Sequence, residues 1–186
     1  RSEGFAGYSI TEQKGDRLET AAADRETYYP VLYVEPLDGN LPVLGFDLAS
    51  DAPRRNAIDR ALESGQPTLS DPIPLVQSTG SSLGVLALAA VHRSSAIRMA
   101  GTGPPVGFVV AVFDVERLLQ QSGFSSTGGP TRGLVFELVD DDVIGSPVTM
   151  LGTSPNRNHP PVAPLFAEQI ITVDGQTWRL VVHPTV

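Results

Sequence analysis

Cysteine is absent from this chain of 186 residues. That excludes disulfides, thiolate metal sites and cysteine nucleophiles, and leaves the redox compartment open. Lysine is nearly absent too: Lys14 is the single one, and every other basic side chain apart from histidine is an arginine. Acidic residues outnumber Lys and Arg by 21 to 13, for a formal net charge of -8. A surface this acidic repels phosphate backbones, so nucleic acid is not expected as a partner. Long apolar runs are missing as well. The longest, Val85 to Val91, has the length of a strand and falls well short of the roughly 18 residues that cross a bilayer. The chain opens Arg1-Ser2-Glu3, with neither an initiator methionine nor a signal peptide, and reads as a fragment of a longer protein.

The usual catalytic signatures are also lacking. Ser81-Ser82-Leu83-Gly84 does not reproduce a Gly-x-Ser-x-Gly elbow. Gly101-Thr102-Gly103-Pro104-Pro105 has neither the lysine nor the helix start of a phosphate-cradling loop. His92, His159 and His183 are far apart, with no pair at metal-ligand spacing. Asp140-Asp141-Asp142 lacks the spaced oxygen ligands and glycine of a calcium loop and reads as a solvated turn. Paired carboxylates are defined in space rather than in sequence and stay open. The expectation is a non-enzyme without catalytic residues, metal or cofactor.

What is present is a globular composition, 41% apolar, large enough for one large domain or two small ones. Phe5 to Ile10 reads as a short first strand, and Thr11 to Thr27 as a solvated loop or loose hairpin. Tyr29 to Val34, rich in β-branched and aromatic residues, predicts a strand ended by Pro36. Asp38-Gly39-Asn40 marks a turn. Ser50 or Asp51 caps a helix with Pro53 in its first turn, Ala57, Ile58, Ala61 and Leu62 on one face, and Gly65 as its stop. Thr68 to Val76 contains two prolines and predicts an irregular strand. Leu83 to His92 and Val106 to Phe113 are continuously apolar and predict neighbouring buried strands, with Arg93 to Pro105 as an exposed loop between them. Asp114 caps a second helix, Val115 to Gln121, with Leu118 and Leu119 inward and Gly123 at its end.

Ser122 to Arg132 is rich in Gly, Ser and Thr and reads as a linker. The tail beyond it is β-rich. Gly133 to Val139 and Pro147 to Leu151 read as strands, and Asn156 to Pro164 as a proline-rich loop. Phe166 to Val173 and Gln176 to Val182 flank the hairpin turn Asp174-Gly175. The fold class is therefore α+β: a PAS-like antiparallel sheet domain over residues 1–122, followed by a smaller β-rich unit over 123–186.

The ordered series from Tyr28 onward carries a resemblance. It runs Tyr28-Tyr29-Pro30-Val31-Leu32-Tyr33-Val34-Glu35-Pro36, Gly45-Phe46-Asp47-Leu48-Ala49-Ser50, Arg54-Arg55-Asn56-Ala57 and Gly65-Gln66-Pro67-Thr68-Leu69-Ser70-Asp71-Pro72. Gly84-Val85-Leu86-Ala87-Leu88 and Gly107-Phe108-Val109-Val110-Ala111-Val112-Phe113-Asp114-Val115 follow. The series resembles the CHASE family, extracytoplasmic sensory domains fused to histidine kinases and nucleotide cyclases. The resemblance implies a ligand-sensing input domain of two PAS-like units on a stalk helix, the first membrane-distal and the second membrane-proximal. The parent would be a receptor anchored in the bacterial inner membrane, with this portion in the periplasm or outside the cell. That receptor would be a homodimer, and the fragment alone a weak dimer or monomer.

The resemblance also implies site residues. Asp47 matches the carboxylate that anchors adenine-type hormones in plant members, and Leu69 the position that offers its backbone to the ligand. Ser78 and Thr79 match a place for a hydroxyl at the pocket, and Ala89, Phe108 and Ala111 fall on the pocket strands. The chain also departs from the pattern. Ala89-Ala90 stand where many members have an aromatic residue and proline, and His92 stands where a tyrosine is frequent. Val110 and Ala111 replace glycines of the hormone-binding members. The implied partner is thus an unidentified small molecule, with no purine assumed. Read without the resemblance, Asp47 is equally a helix cap or loop residue, Leu69 a core leucine, and Ser78 and Thr79 turn residues. By the family pattern, Ala89 or its neighbour Ala87 is expected on the ligand side of the strand, with Leu88 on the other face.

Overall fold

The computed structural model describes residues 8–14, 17–19, 22–75, 83–93, 104–123, 134–142, 147–152 and 167–184. Among these, the fold is α+β and mostly antiparallel. Strands β1 (Glu12–Lys14) and β2 (Arg17–Glu19) pair antiparallel, the hairpin alternative for the polar N-terminal stretch. Two short 3-10 turns, Leu41–Val43 and Leu48–Ser50, lead into helix α1 (Ala52–Ser64).

Helix α1 follows from its own residues. The Asp51 carboxylate accepts the Arg54 backbone N–H at 3.0 Å, a proline occupies the first turn, and Gly65 adopts φ 65° to end the helix. Ala57, Ile58 and Ala61 are buried as expected, but Leu62 is exposed. The fourth buried side chain of this helix is Arg54. Its guanidinium lies 5.2 Å from the centre of the Phe46 ring, pairs with Asp51 and donates to the Pro74 carbonyl at 3.0 Å. An arginine so satisfied covers core surface with its stem and ring-stacking head.

The first large sheet has β5 (Leu83–Val91) at its centre. On one side β5 pairs with two short strands, β3 (Thr68–Leu69) and β4 (Ile73–Pro74); on the other it pairs with β6 (Gly107–Asp114). The expected irregular strand is thus two strands separated by a break. Ser70 carries the ladder across it: its backbone N–H donates to the Leu86 carbonyl at 2.8 Å, and its hydroxyl oxygen accepts the Leu86 N–H at 3.0 Å. Tyr29 to Val34 does not form a regular strand. It makes one isolated bridge, Pro30 to Asp47, and Pro30 lacks a ladder donor.

Helix α2 (Val115–Gln121) begins at Asp114, which caps the Arg117 N–H at 3.1 Å. Of the two leucines expected inward, Leu119 packs on the core and Leu118 is exposed. Val115 is the buried anchor of this short helix.

The second large sheet runs in the order β8 (Val148–Gly152), β7 (Leu134–Asp140), β10 (Gln176–Pro184), β9 (Ala167–Val173). The β9–β10 turn is Asp174-Gly175, at φ 50° and 80°, the left-handed pair that a two-residue hairpin requires. Asp140 corrects the expectation of a solvated turn over 140–142. It is the last residue of β7 and has no exposed surface.

Successive side chains of β5 enter two different cores. Leu86 and Leu88 join Ala49, Ala57, Ile58 and Ile73 beneath α1. Val85 joins Leu69, Val115, Leu138, Met150 and Trp178, a cluster built from both large sheets and α2. Both faces of β5 are therefore packed, which accounts for its continuous apolar sequence.

Candidate functional site

Asp47 is held by a small irregular sheet. Thr11 donates to Gly45 O at 2.9 Å, Asp47 to Thr11 O at 2.8 Å, Val31 to Phe46 O at 3.0 Å and Leu48 to Tyr29 O at 3.0 Å. Residues 45–48 thus run between residue 11 and residues 29–31. Gly45 makes the approach possible: its φ is 83°, and a Cβ there would lie 2.2 Å from the Ser9 carbonyl oxygen.

The Asp47 carboxylate has no exposed surface. Its Oδ1 accepts the backbone N–H of Tyr29 at 2.8 Å and of Ala49 at 3.2 Å. Its Oδ2 accepts Nη1 of Arg25 at 3.1 Å. Arg25 also donates to the Ala49 carbonyl at 3.4 Å, pairs through Nη2 with Glu12 and lies 5.7 Å from the centre of the Tyr28 ring. The carboxylate caps the 3-10 turn Leu48–Ser50 and closes an ion-pair network around the N-terminal segment. The sequence gives no sign of Arg25's role, since a lone arginine in a polar stretch carries no signal of its partner.

The cross-strand register sorts the other expected site residues by face. Directly paired residues point the same way. Ala90 pairs with Phe108, Leu88 with Val110 and Leu86 with Val112; this is the α1 face. Phe108 meets Tyr29 edge-on there, with ring centres 5.7 Å apart, so Phe108 and Asp47 lie on one side, linked through Tyr29. Ala87 pairs with both Leu69 and Ala111, and Ala89 with Val109. Leu69, Ala87, Ala89 and Ala111 therefore share the opposite face. Ala87 packs against the second core, Ala89 is half-buried and Ala111 is exposed. Asp47 and Leu69 fall on different sides of the sheet. Ser78 and Thr79 lie outside the described residues.

Beside Leu69 is an open cleft of about 430 Å³, lined by the end of α1 (Arg60, Glu63), by Gln66, Thr68 and Leu69, and by Gln176 of β10. Arg60 Nη2 donates to the Leu69 carbonyl at 2.6 Å, so the backbone oxygen expected to face a ligand is engaged within the chain. The described residues contain no cluster of His, Asp or Glu able to hold a metal ion.

The family model of the CHASE domain matches residues 1–151. The chain belongs to the CHASE domain family. CHASE domains are extracytoplasmic sensory domains rather than catalytic ones. A comparison with curated proteins finds no match. Among the described residues, no helix is long and apolar enough to cross a membrane.

Proposed function

We propose that this CHASE domain is the small-molecule input domain of a membrane-anchored signalling receptor. The family match over residues 1–151 carries the reading. The cleft beside Leu69 is open and lined mainly by polar and charged side chains, unlike the enclosed apolar lining of most small-molecule sites, so the reading rests on the family match. On the same face as Leu69, outside that cleft, Ala89 is half-buried and Ala111 exposed, and a ligand in this reading lies over these two. Asp47 supports the opposite side of the sheet, and a ligand using its carboxylate has to displace Arg25.

In this reading residues 1–122 and 123–186 are two PAS-like units, membrane-distal and membrane-proximal, in a homodimeric parent receptor with a periplasmic input. Ligand binding biases the packing of the first sheet, and the receptor relays the shift to a cytoplasmic kinase or cyclase.

One observation favours a second reading, a protein-binding ectodomain without a small ligand. Among the described residues strand β6 has β5 as its partner on one side only, and Val109 and Phe113 are 65% and 40% exposed. A lone edge with apolar side chains is a template for another chain. A thermal-shift screen against a metabolite library separates the two. A true ligand at 100 times its dissociation constant stabilises the fold by roughly 2.7 kcal/mol, which in a domain of this size raises Tm by about 5–10 °C. A screen in which no compound moves Tm supports the protein-binding reading.

A further inference from the structure

The seam between the two large sheets contains a buried carboxyl group that neither core explains. Asp140 sits directly opposite Trp178 in the β7–β10 ladder. Paired residues share a face, and Trp178 belongs to the core cluster that joins β10 to Leu69, Val85 and Val115 of the first sheet and α2. The Asp140 side chain therefore points into the junction. It has no exposed surface. Oδ1 accepts the Asp142 N–H at 3.0 Å; among the described residues Oδ2 makes no well-formed hydrogen bond, and the Trp178 Nε1–H beside it, which acts only weakly on the carboxyl, makes none either.

The charges around it are of its own sign. Asp71, in the β3–β4 break of the first sheet, and Asp142, at the end of β7, both act on Asp140. The nearby arginines are committed elsewhere. Arg179 of β10 forms a two-pronged pair with Asp141, both contacts at 2.8 Å. Arg60 of α1 lies 3.8 Å from Asp71 and donates to the Leu69 carbonyl. From β8, the residue opposite Asp140 is Val148, which brings no charge. A buried carboxylate with one oxygen poorly satisfied and two like charges nearby is costly, and a proton removes most of that cost.

We propose that Asp140 is a proton-binding latch between the two sheets: neutral, it lets the Trp178 seam close; ionised, it strains the seam. Burial is the main cause that pushes its pKa above the ordinary carboxylate value, followed by the charges of Asp142 and Asp71, while the Asp142 N–H and the nearby Trp178 N–H oppose it. The folded protein then holds this proton more tightly than the unfolded chain. Between the ordinary and the raised pKa, stability falls as pH rises, the reverse of a salt-bridged aspartate. This responsiveness does not depend on the small-molecule reading. Trp178 and strands β9 and β10 lie beyond the matched residues, so it couples the family core to the strands that follow it.

The chain has a single tryptophan, which makes its fluorescence a direct reporter. Titrated from neutral to acid pH, the emission of the intact chain is expected to change in one step, with a midpoint above the ordinary aspartate value of about 3.9. Asp140→Asn is expected to abolish the step and to raise Tm at neutral pH. Asp71→Asn, which leaves the Asp140 carboxyl in place, is expected to move the midpoint down. Emission that stays flat through this range in the unaltered chain, a step that survives Asp140→Asn, or a midpoint unmoved by Asp71→Asn would overturn the proposal.

Discussion

Replacing Asp47 with alanine is expected to lower the unfolding free energy by about 3–5 kcal/mol. The loss has several sources. The backbone N–H groups of Tyr29 and Ala49 lose their acceptor, and each stranded donor costs about 1–3 kcal/mol. Arg25 loses one of its two carboxylates. The 3-10 turn before α1 loses its cap. Asp47→Asn retains an acceptor for the two N–H groups and gives up the ion pair, so it is expected to cost markedly less. Urea melts of the three proteins check both statements. An alanine variant within about 1 kcal/mol of the original chain would mean that the network around Asp47 does not hold the N-terminal segment in place.

The second large effect is expected at Gly45. Alanine there suffers the left-handed backbone penalty of about 1–2 kcal/mol, because φ is 83°. It also drives a methyl group to within 2.2 Å of the Ser9 carbonyl oxygen. Backbone cannot swing aside as a long side chain does, so an overpacking cost of about 1–3 kcal/mol adds to the first. A combined loss of about 2–5 kcal/mol is expected. Hydrogen exchange localises it: the amides of Thr11 and Asp47, which bond across this approach, should lose protection before those of β7 and β10. A loss of protection spread evenly over the chain would place the strain elsewhere.

Helix α1 was readable because its signals are local. Asp51, Pro53 and Gly65 act on the residues next to them, and the structure uses all three. The same holds for Asp174-Gly175, where two positive φ angles suffice to make the hairpin. Strand β5 is readable for another reason: a strand packed on both faces has no polar side to conceal its length. Strand β6 has the same apolar composition but no buried residue, which corrects the expectation of a second buried strand. The failures are non-local. Tyr29 to Val34 has the composition of a strand, but its neighbour is the irregular run 45–48, and that pairing needs a left-handed glycine and a close approach to residue 9. Leu118 and Leu119 are adjacent, and which one enters the core depends on where the second sheet lies.

The candidate site shows the same division. That Ala87 and Ala89 share a face follows from strand alternation alone. That Ala111 and Leu69 join them depends on the registers of β6 and β3 against β5, which no local pattern states. Asp47 stood out as a carboxylate among apolar neighbours, yet its role is set by Arg25, 22 positions earlier. Asp140 looked like part of a solvated acidic turn. Its burial arises because β7 extends one residue farther and faces the junction between sheets.

In the proposed function a small molecule lies over the accessible part of the β5–β6 face, around Ala89 and Ala111. The most direct test is thermal melting of the chain and of Ala89→Phe across the same metabolite library. Ala89 is half-buried and pairs with the exposed Val109, so phenylalanine is expected to cost less than about 1 kcal/mol without ligand, below the 1–3 kcal/mol of an overpacked core. At least one compound is expected to raise Tm of the original chain by about 5–10 °C and to leave Tm of Ala89→Phe unmoved. An equal shift in both proteins, or a library in which nothing shifts either, would contradict a ligand site on this face.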